Sequence, residues 1–259
     1  MKIPAVFLSH GAPTLAVEEG HETRAWAELG KKLPRPRSIL AVSAHWDTRD
    51  PEVSAAAQMQ TIHDFNGFPR ALYEQRYPAR GAPELAQRTA ALLQQAGLPT
   101  RVYPARGLDH GAWVPLKWMY PNADIPVTQL SVQSHRGPAH HVKVGEAIAA
   151  LAGEEVLILA TGGIVHNLRD LEWDKRGTGE AATWAREFND WIADRVERKA
   201  ADDLLAYRER APHASRSHPT EDHFAPFFVA LGAGGWPARR IDLGFDLGTL
   251  GLDGYIFGG

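Results

Sequence analysis

Four stretches of the chain are continuously apolar rather than alternating: IPAVFLS (3–9), SILAVSA (38–44), IPVTQLSV (125–132) and EEVLILATGG (154–163). Short unbroken runs rich in branched side chains are how strands read when both faces of their sheet are covered. Between them, apolar positions recur at helical spacing. Pro83 opens a helix with Leu85, Leu92 and Leu93 on one face, closed by Gly97 and Pro99. Residues 138–152 repeat the arrangement with Val144, Ile148 and Leu151, and Gly153 stops it. Trp184, Phe188, Trp191, Ile192 and Val196 form the stripe of a longer helix over 180–199, read as core or subunit contact. A last helix is expected from Thr220 to Leu231, with Pro226 as a cost inside it, before turns and a closing strand in DLGTLGLDGYIFGG.

Strands alternating with helices predict an α/β architecture: a central, mostly parallel or mixed sheet flanked by helices, with ligands bound at the carboxyl ends of the strands. The length of 259 residues and 44% hydrophobic composition suit one domain over 1–259. With 28 Lys and Arg against 31 Asp and Glu, the formal charge of -3 gives no basic surplus for nucleic acid or an anionic membrane. No cysteine is present, so disulfides, thiolate ligands and a cysteine nucleophile are excluded. The short apolar run at the N-terminus reaches a histidine without signal-peptide or membrane-span character, and a cytoplasmic protein is expected. The composition leaves the oligomeric state open.

Twelve histidines are the unusual count. His10 follows the first strand, His45 the second, and His166 lies in the loop after the fourth, so strand ends converging on one rim can bring imidazoles together. A strand-end ring needs partners for both nitrogens; a divalent metal supplies one and an outer carboxylate the other, a part assigned to Asp47 beside His45. The bland alternative for each is a hydrogen-bonded loop histidine. Thr220 is expected to cap the last helix, placing Glu221, Asp222 and His223 in its first turn, where a neutral, metal-competent ring is favoured. In LDHGAW, His110 sits at a glycine turn where Gly111 lets a ligand approach the backbone, a place for a proton donor or acceptor or for an ordinary turn histidine. His141 reads as a core histidine; His21, His135, His140, His213 and His218 read as solvated. The loop HDFNGFP (63–69) is read either as a pocket cover or as ordinary packing.

Taken in order, FLSHGAP, VSAHW, TIHDFNGFP with LYEQRYPA, LDHGAWVPLKWMYPNADIPVTQLSV, ATGGIVHNL and PTEDHFAP resemble the class III extradiol ring-cleavage dioxygenases, in their DOPA 4,5-dioxygenase branch, over nearly the whole chain. The resemblance implies metal ligands His10, His45 and His223, with His166 a fourth ligand or an acid/base group, and His110 the second catalytic histidine. It implies Fe(II) for activity, Zn(II) in isolated protein, and a small catechol and O2 as the reactants. A histidine stands where such irons usually carry a carboxylate. Trp46, Phe65, Phe68 and Trp113 are candidate walls for the aromatic ring, though aromatic loop residues often just pack. A zinc hydrolase, built on the same imidazoles, and a binding protein without activity are the rival readings.

Overall fold

The computed structural model describes residues 2–259. Ten strands are present among them: β1 (Ala5–Ser9), β2 (Ser38–Asp47), β3 (Glu52–Ser54), β4 (Arg101–Tyr103), β5 (Val127–Val132), β6 (Val156–Gly162), β7 (Ala238–Ile241), β8 (Phe245–Asp246), β9 (Leu250–Gly251) and β10 (Gly254–Phe257). Eight form one sheet in the order β4-β3-β5-β2-β6-β1-β10-β7, while β8 and β9 make a separate ribbon. The centre of the sheet is parallel, from β5 through β2 and β6 to β1, and β10 and β7 continue it antiparallel. The four apolar runs are these four central strands. Every residue of β1, β5 and β6 is buried, which is why their sequences do not alternate.

Ten helices accompany the strands: α1 (His21–Lys32), α2 (Arg70–Tyr73), α3 (Pro83–Gln95), α4 (His110–Met119), α5 (Gly137–Ile148), α6 (Thr183–Glu197), α7 (Ala201–Leu205), α8 (Tyr207–Arg210), α9 (Ala214–Ser217) and α10 (Ala225–Gly234). One apolar layer sets α3, α5, α6 and α10 against Phe7, Leu40, Val42 and Ile158. The opposite layer sets α1 and α4 against Val6, Leu8, Ile39 and Ala41. Alternate residues of one strand thus enter two cores. No described helix is long and apolar enough to cross a membrane.

Two helices depart from the sequence pattern. The last begins at Ala225 rather than near Thr220, and Pro226 occupies its first turn instead of interrupting it. A first-turn proline lacks only an N–H that has no intrahelical acceptor, so it helps start the helix. The other is α4, expected as a turn: its residues are buried nearly all round and it contains Gly111 and Pro115, so no amphipathic stripe marks it.

The contact between α5 and α10 depends on missing side chains. A Cβ on Gly145 would lie 2.2 Å from the Val229 carbonyl oxygen, and one on Gly232 would lie 2.2 Å from that of Val142. Gly145→Ala should therefore push the helices apart, destabilising the protein by about 1–3 kcal/mol and lowering the thermal midpoint by roughly 2–4 °C per kcal/mol, read by circular dichroism.

His141, on α5, is buried and neutral. Its Nδ1 lies 2.8 Å from the Gly137 carbonyl oxygen, to which it donates, while its Nε2 accepts from the Gln133 N–H at 3.2 Å. Burial first, and the neighbouring His140 and His135 after it, push its pKa down to about 4 although the Gly137 hydrogen bond opposes this. The unfolded chain takes up this proton near 6.5 and the folded one only near 4, so acid favours unfolding across that window. The group's contribution, about 3 kcal/mol above the window, is lost as pH falls through it. Urea titrations from pH 7 to 4 should show the loss, with a shallower slope in His141→Gln.

Candidate metal centre

The strand β6 lies between β2 and β1, so the ends of β1 and β2 are two strand spacings apart, about 9–10 Å. The side chains of His10 and His45 nevertheless meet, their Nε2 atoms 3.0 Å apart. What lets them do so is that β6 ends in Gly162 and Gly163, which put no side chain between them. His10 continues β1 with its N–H donated to the Gly162 carbonyl. His45 sits where the pairing of β2 with β5 slips, between Val42 and Asp47, an irregularity of the kind that re-aims side chains.

Two further rings arrive from opposite layers. His223 precedes α10, and its carbonyl accepts the Gly163 N–H at 2.9 Å; a Cβ on Gly162 would lie 2.0 Å from that oxygen. His110 opens α4, which is capped by Asp109, whose carboxylate accepts from Ala112 N–H, from Ser43 Oγ and from Gln129 Nε2. Gly111 was expected to admit a ligand to the backbone. Instead it admits the other histidines: a Cβ there would lie 2.9 Å from His45 Cδ2 and 3.0 Å from His10 Cε1.

The result is a cluster in which the His45 ring centroid lies 4.9 Å from His10, 4.1 Å from His110 and 4.8 Å from His223. His45 Nε2 is also 3.3 Å from His223 Nε2. One ring nitrogen from each of His10, His45 and His110 lies within 4.8 Å of the others. His166 stacks flat on His223, centroids 3.4 Å apart and planes 4° from parallel.

Carboxylates approach the far sides of three of these rings, His223, His45 and His110. Asp222 Oδ2 lies 2.6 Å from His223 Nδ1. Asp64 Oδ2 lies 3.4 Å from His45 Nδ1, and Asp64 Oδ1 accepts the His110 backbone N–H and lies 3.0 Å from His110 Nδ1. That last contact is close but not aligned as a hydrogen bond. With its Nδ1 hydrogen-bonded to Asp222, His223 directs its Nε2 lone pair inward, and the Asp64 carboxylate near His45 Nδ1 favours the same tautomer there. Burial, reinforced by neighbouring rings, holds His10 and His223 well below the ordinary imidazole value and lowers His45 as well, against the pull of nearby carboxylates. Burial raises the Asp64 carboxyl, but His110 outweighs it and leaves the group at about 2.

Neutral rings with lone pairs converging at 3.0 and 3.3 Å fit a divalent cation. Two nitrogen donors about 2.1 Å from one ion, at about 90–109° to each other, lie about 3.0–3.4 Å apart. The donor set is compatible with iron and with zinc alike.

The rings line a cavity of about 600 Å³. Phe65, Phe68 and the loop around them form part of its wall, so HDFNGFP covers a pocket. Trp46 and Trp113 are not on that wall. Alternation along β2 points Trp46 away from His45, under the Arg106 guanidinium at 4.9 Å, and Trp113 is fully buried in the core with its Nε1 donated to the Ile62 carbonyl. Asp47 does not orient His45; it accepts from the Ser134 N–H and hydroxyl instead. His218, expected in solvent, is fully buried, its Nε2 on the Ile164 carbonyl, and burial first pushes it down to about 3. Asp64 carries no signal in the sequence beyond standing beside His63 in HDFNGFP; Asp222, which reads as a helix-start carboxylate or, if the helix start turned, a substitute ligand, instead holds His223 Nδ1.

Comparison with known proteins bears on this site. Residues 4–256 match the family of the catalytic LigB subunit of aromatic ring-opening dioxygenase. The chain is 40% identical to an Escherichia coli (strain K12) protein named 4,5-DOPA dioxygenase extradiol, over 97% of this chain and 93% of the other. It is 42% identical to a protein of the same name from Portulaca grandiflora, over 97% and 94%. The crystal structure of an uncharacterized protein from Escherichia coli K12 superposes with a TM-score of 0.80 at 35% identity, covering 99% of this chain and 100% of that one. The chain belongs to the LigB family of aromatic ring-opening dioxygenases and is an enzyme of the extradiol class.

Proposed function

We propose that the protein cleaves the ring of a catechol of the DOPA type with O2, beside its two hydroxyls, giving a muconic semialdehyde. In this reading His10, His45 and His223 hold Fe(II). The observation that carries it is the meeting of three Nε2 atoms at 3.0 and 3.3 Å, two of their rings backed by carboxylates. Zn(II) fits the same three donors and is expected in protein isolated in air. When bound, the ferrous ion supplies an electron-rich centre with open positions at which catechol and O2 react.

The other two rings suit proton handling. His166 stacks 3.4 Å from His223 with its ring nitrogens in a parallel plane, which suits it to proton transfer rather than to joining the three converging Nε2 atoms. His166, pushed down to about 4 chiefly by burial, is a neutral base on the cavity wall. His110 lies on the cavity wall with Nδ1 3.0 Å from Asp64 Oδ1, and Phe65 packs edge-on against it at 5.7 Å. One such ring takes the catechol proton that metal binding does not release, and returns a proton when the ring opens. Phe65 and Phe68, 5.4 Å apart, offer faces and edges to the aromatic substrate.

Air-free loading with Fe(II), followed by oxygen uptake and absorbance with a panel of catechols, tests the activity. Ring-opening absorbance is expected with iron; turnover confined to Zn(II) and an ester or amide would assign the site to hydrolysis. The roles of the rings separate by metal analysis. His223→Ala should lose bound metal and turnover together, whereas His110→Ala should keep metal and lose turnover by about 100-fold or more; metal lost on His110→Ala would make that ring a ligand. Asp222→Asn should weaken metal binding by about 10–100-fold, read by chelator competition.

A further inference from the structure

Most charge on the cavity wall is engaged. Asp64 is held by His45 and His110, and Asp246 Oδ1 accepts the N–H groups of Gly177 and Leu247. Arg176 and Glu18 are different: Arg176 Nη2 donates to Glu18 Oε1 at 2.7 Å, and neither side chain has another side-chain partner among the described residues. Arg176 comes from the segment after β6 and Glu18 from the segment after β1, so the pair spans two loops that wall the cavity. It is the one Arg or Lys among the described residues lining that cavity. Both side chains are 48% exposed, and an exposed pair of this kind holds together weakly, by about 0–1 kcal/mol.

Resting on the reading of this cavity as a catechol pocket, we propose that Arg176 and Glu18 select the substrate's side chain, Arg176 binding a carboxylate and Glu18 an ammonium group. An ion pair is the complement of a zwitterion. An α-amino acid group can replace the pair's mutual contact with two charge-assisted hydrogen bonds, one to each residue, and a guanidinium that already receives a carboxylate here has the fork to receive another. A ring seated by Phe65 and Phe68 leaves such a group toward solvent. Leu168 and Trp173, 61% and 69% exposed on the segment that carries Arg176, stand beside it on the wall and are apolar surface that a bound ligand would cover. The preference then follows: catechols bearing an amino acid first, those bearing one charge next, uncharged catechols last.

Four probes separate the contributions: 3,4-dihydroxyphenylalanine, dopamine, 3,4-dihydroxyphenylpropionate and 4-methylcatechol. Affinities are measured by calorimetry on metal-loaded protein without oxygen, beside kcat/KM in air. Arg176→Gln should weaken the two carboxylate-bearing probes relative to 4-methylcatechol by about tenfold or more, and in turnover through KM. Glu18→Gln should do the same for the two ammonium-bearing probes. Ratios within twofold of the unaltered protein in both variants, or equal losses on all four probes, overturn the assignment. Selective binding without turnover of any catechol would leave the pair's role standing and sink the ring-cleavage reading instead.

Discussion

Imidazole rings whose Nε2 lone pairs point at one another repel unless a positive charge stands among them, and this constraint organises the molecule around one rim of its sheet. Protons are one candidate for that charge, but burial and crowding hold His10 and His223 well below the ordinary imidazole value. The rings are therefore kept neutral; Asp222 fixes hydrogen on Nδ1 of His223, and Asp64 near His45 Nδ1 favours the same tautomer there. Neutral, buried and pre-aimed is the state a divalent ion requires of its ligands.

Glycine is what allows the fold to reach that state. Gly162 and Gly163 clear the end of the strand between the two histidine-bearing strands, and Gly111 lets α4 dock against both rings at once. His10 and His45 lie on the sheet face covered by α1 and α4, whereas His223 comes from the start of α10, which covers the other face. The cluster thus joins both cores over the top of β6. A side chain at Gly162 would collide with the backbone of His223, and one at Gly111 with Ser43 and the His45 and His10 rings.

How much of this could be read from sequence follows from which forces are local. The central strands were legible because burial on both faces writes itself as an unbroken apolar run, and the histidines at their ends were legible because such a run stops abruptly at a polar ring. The motifs carried the family. The partners of the rings were not legible, since Asp64 reaches His45 from a separate loop, while Asp47, two residues from His45 in the same strand, is engaged by Ser134 instead. Alternation should have told against Trp46, which follows His45 directly and so points away from it. Trp113 and His218 went astray for a different reason: a loop-like sequence gave no sign that the surrounding chain would bury them. At the last helix, Thr220 followed by acidic residues imitates a cap, but a proline is best accommodated in the first turn, and Pro226 sets the start.

The all-histidine donor set proposed above raises a question of charge, because three neutral ligands would leave a divalent ion's charge whole where a carboxylate ligand would reduce it. On that proposal the compensation would stand one ring further out. Asp222 and Asp64 each contact an Nδ1 whose ring directs its Nε2 inward, and Asp109, the other buried carboxylate nearby, already has Arg106 at 3.3 Å. Two negative charges then face two positive ones, separated by imidazole rather than in contact. A cation so held keeps more of its attraction for an incoming anion than one bound directly to a carboxylate, since compensating charge acts more weakly with distance. Under the proposed function such an arrangement would favour an anionic ligand such as a deprotonated catechol. At the wall, the Arg176–Glu18 pair adds no net charge, so the side-chain recognition proposed for it would not oppose attraction of the ring oxygens.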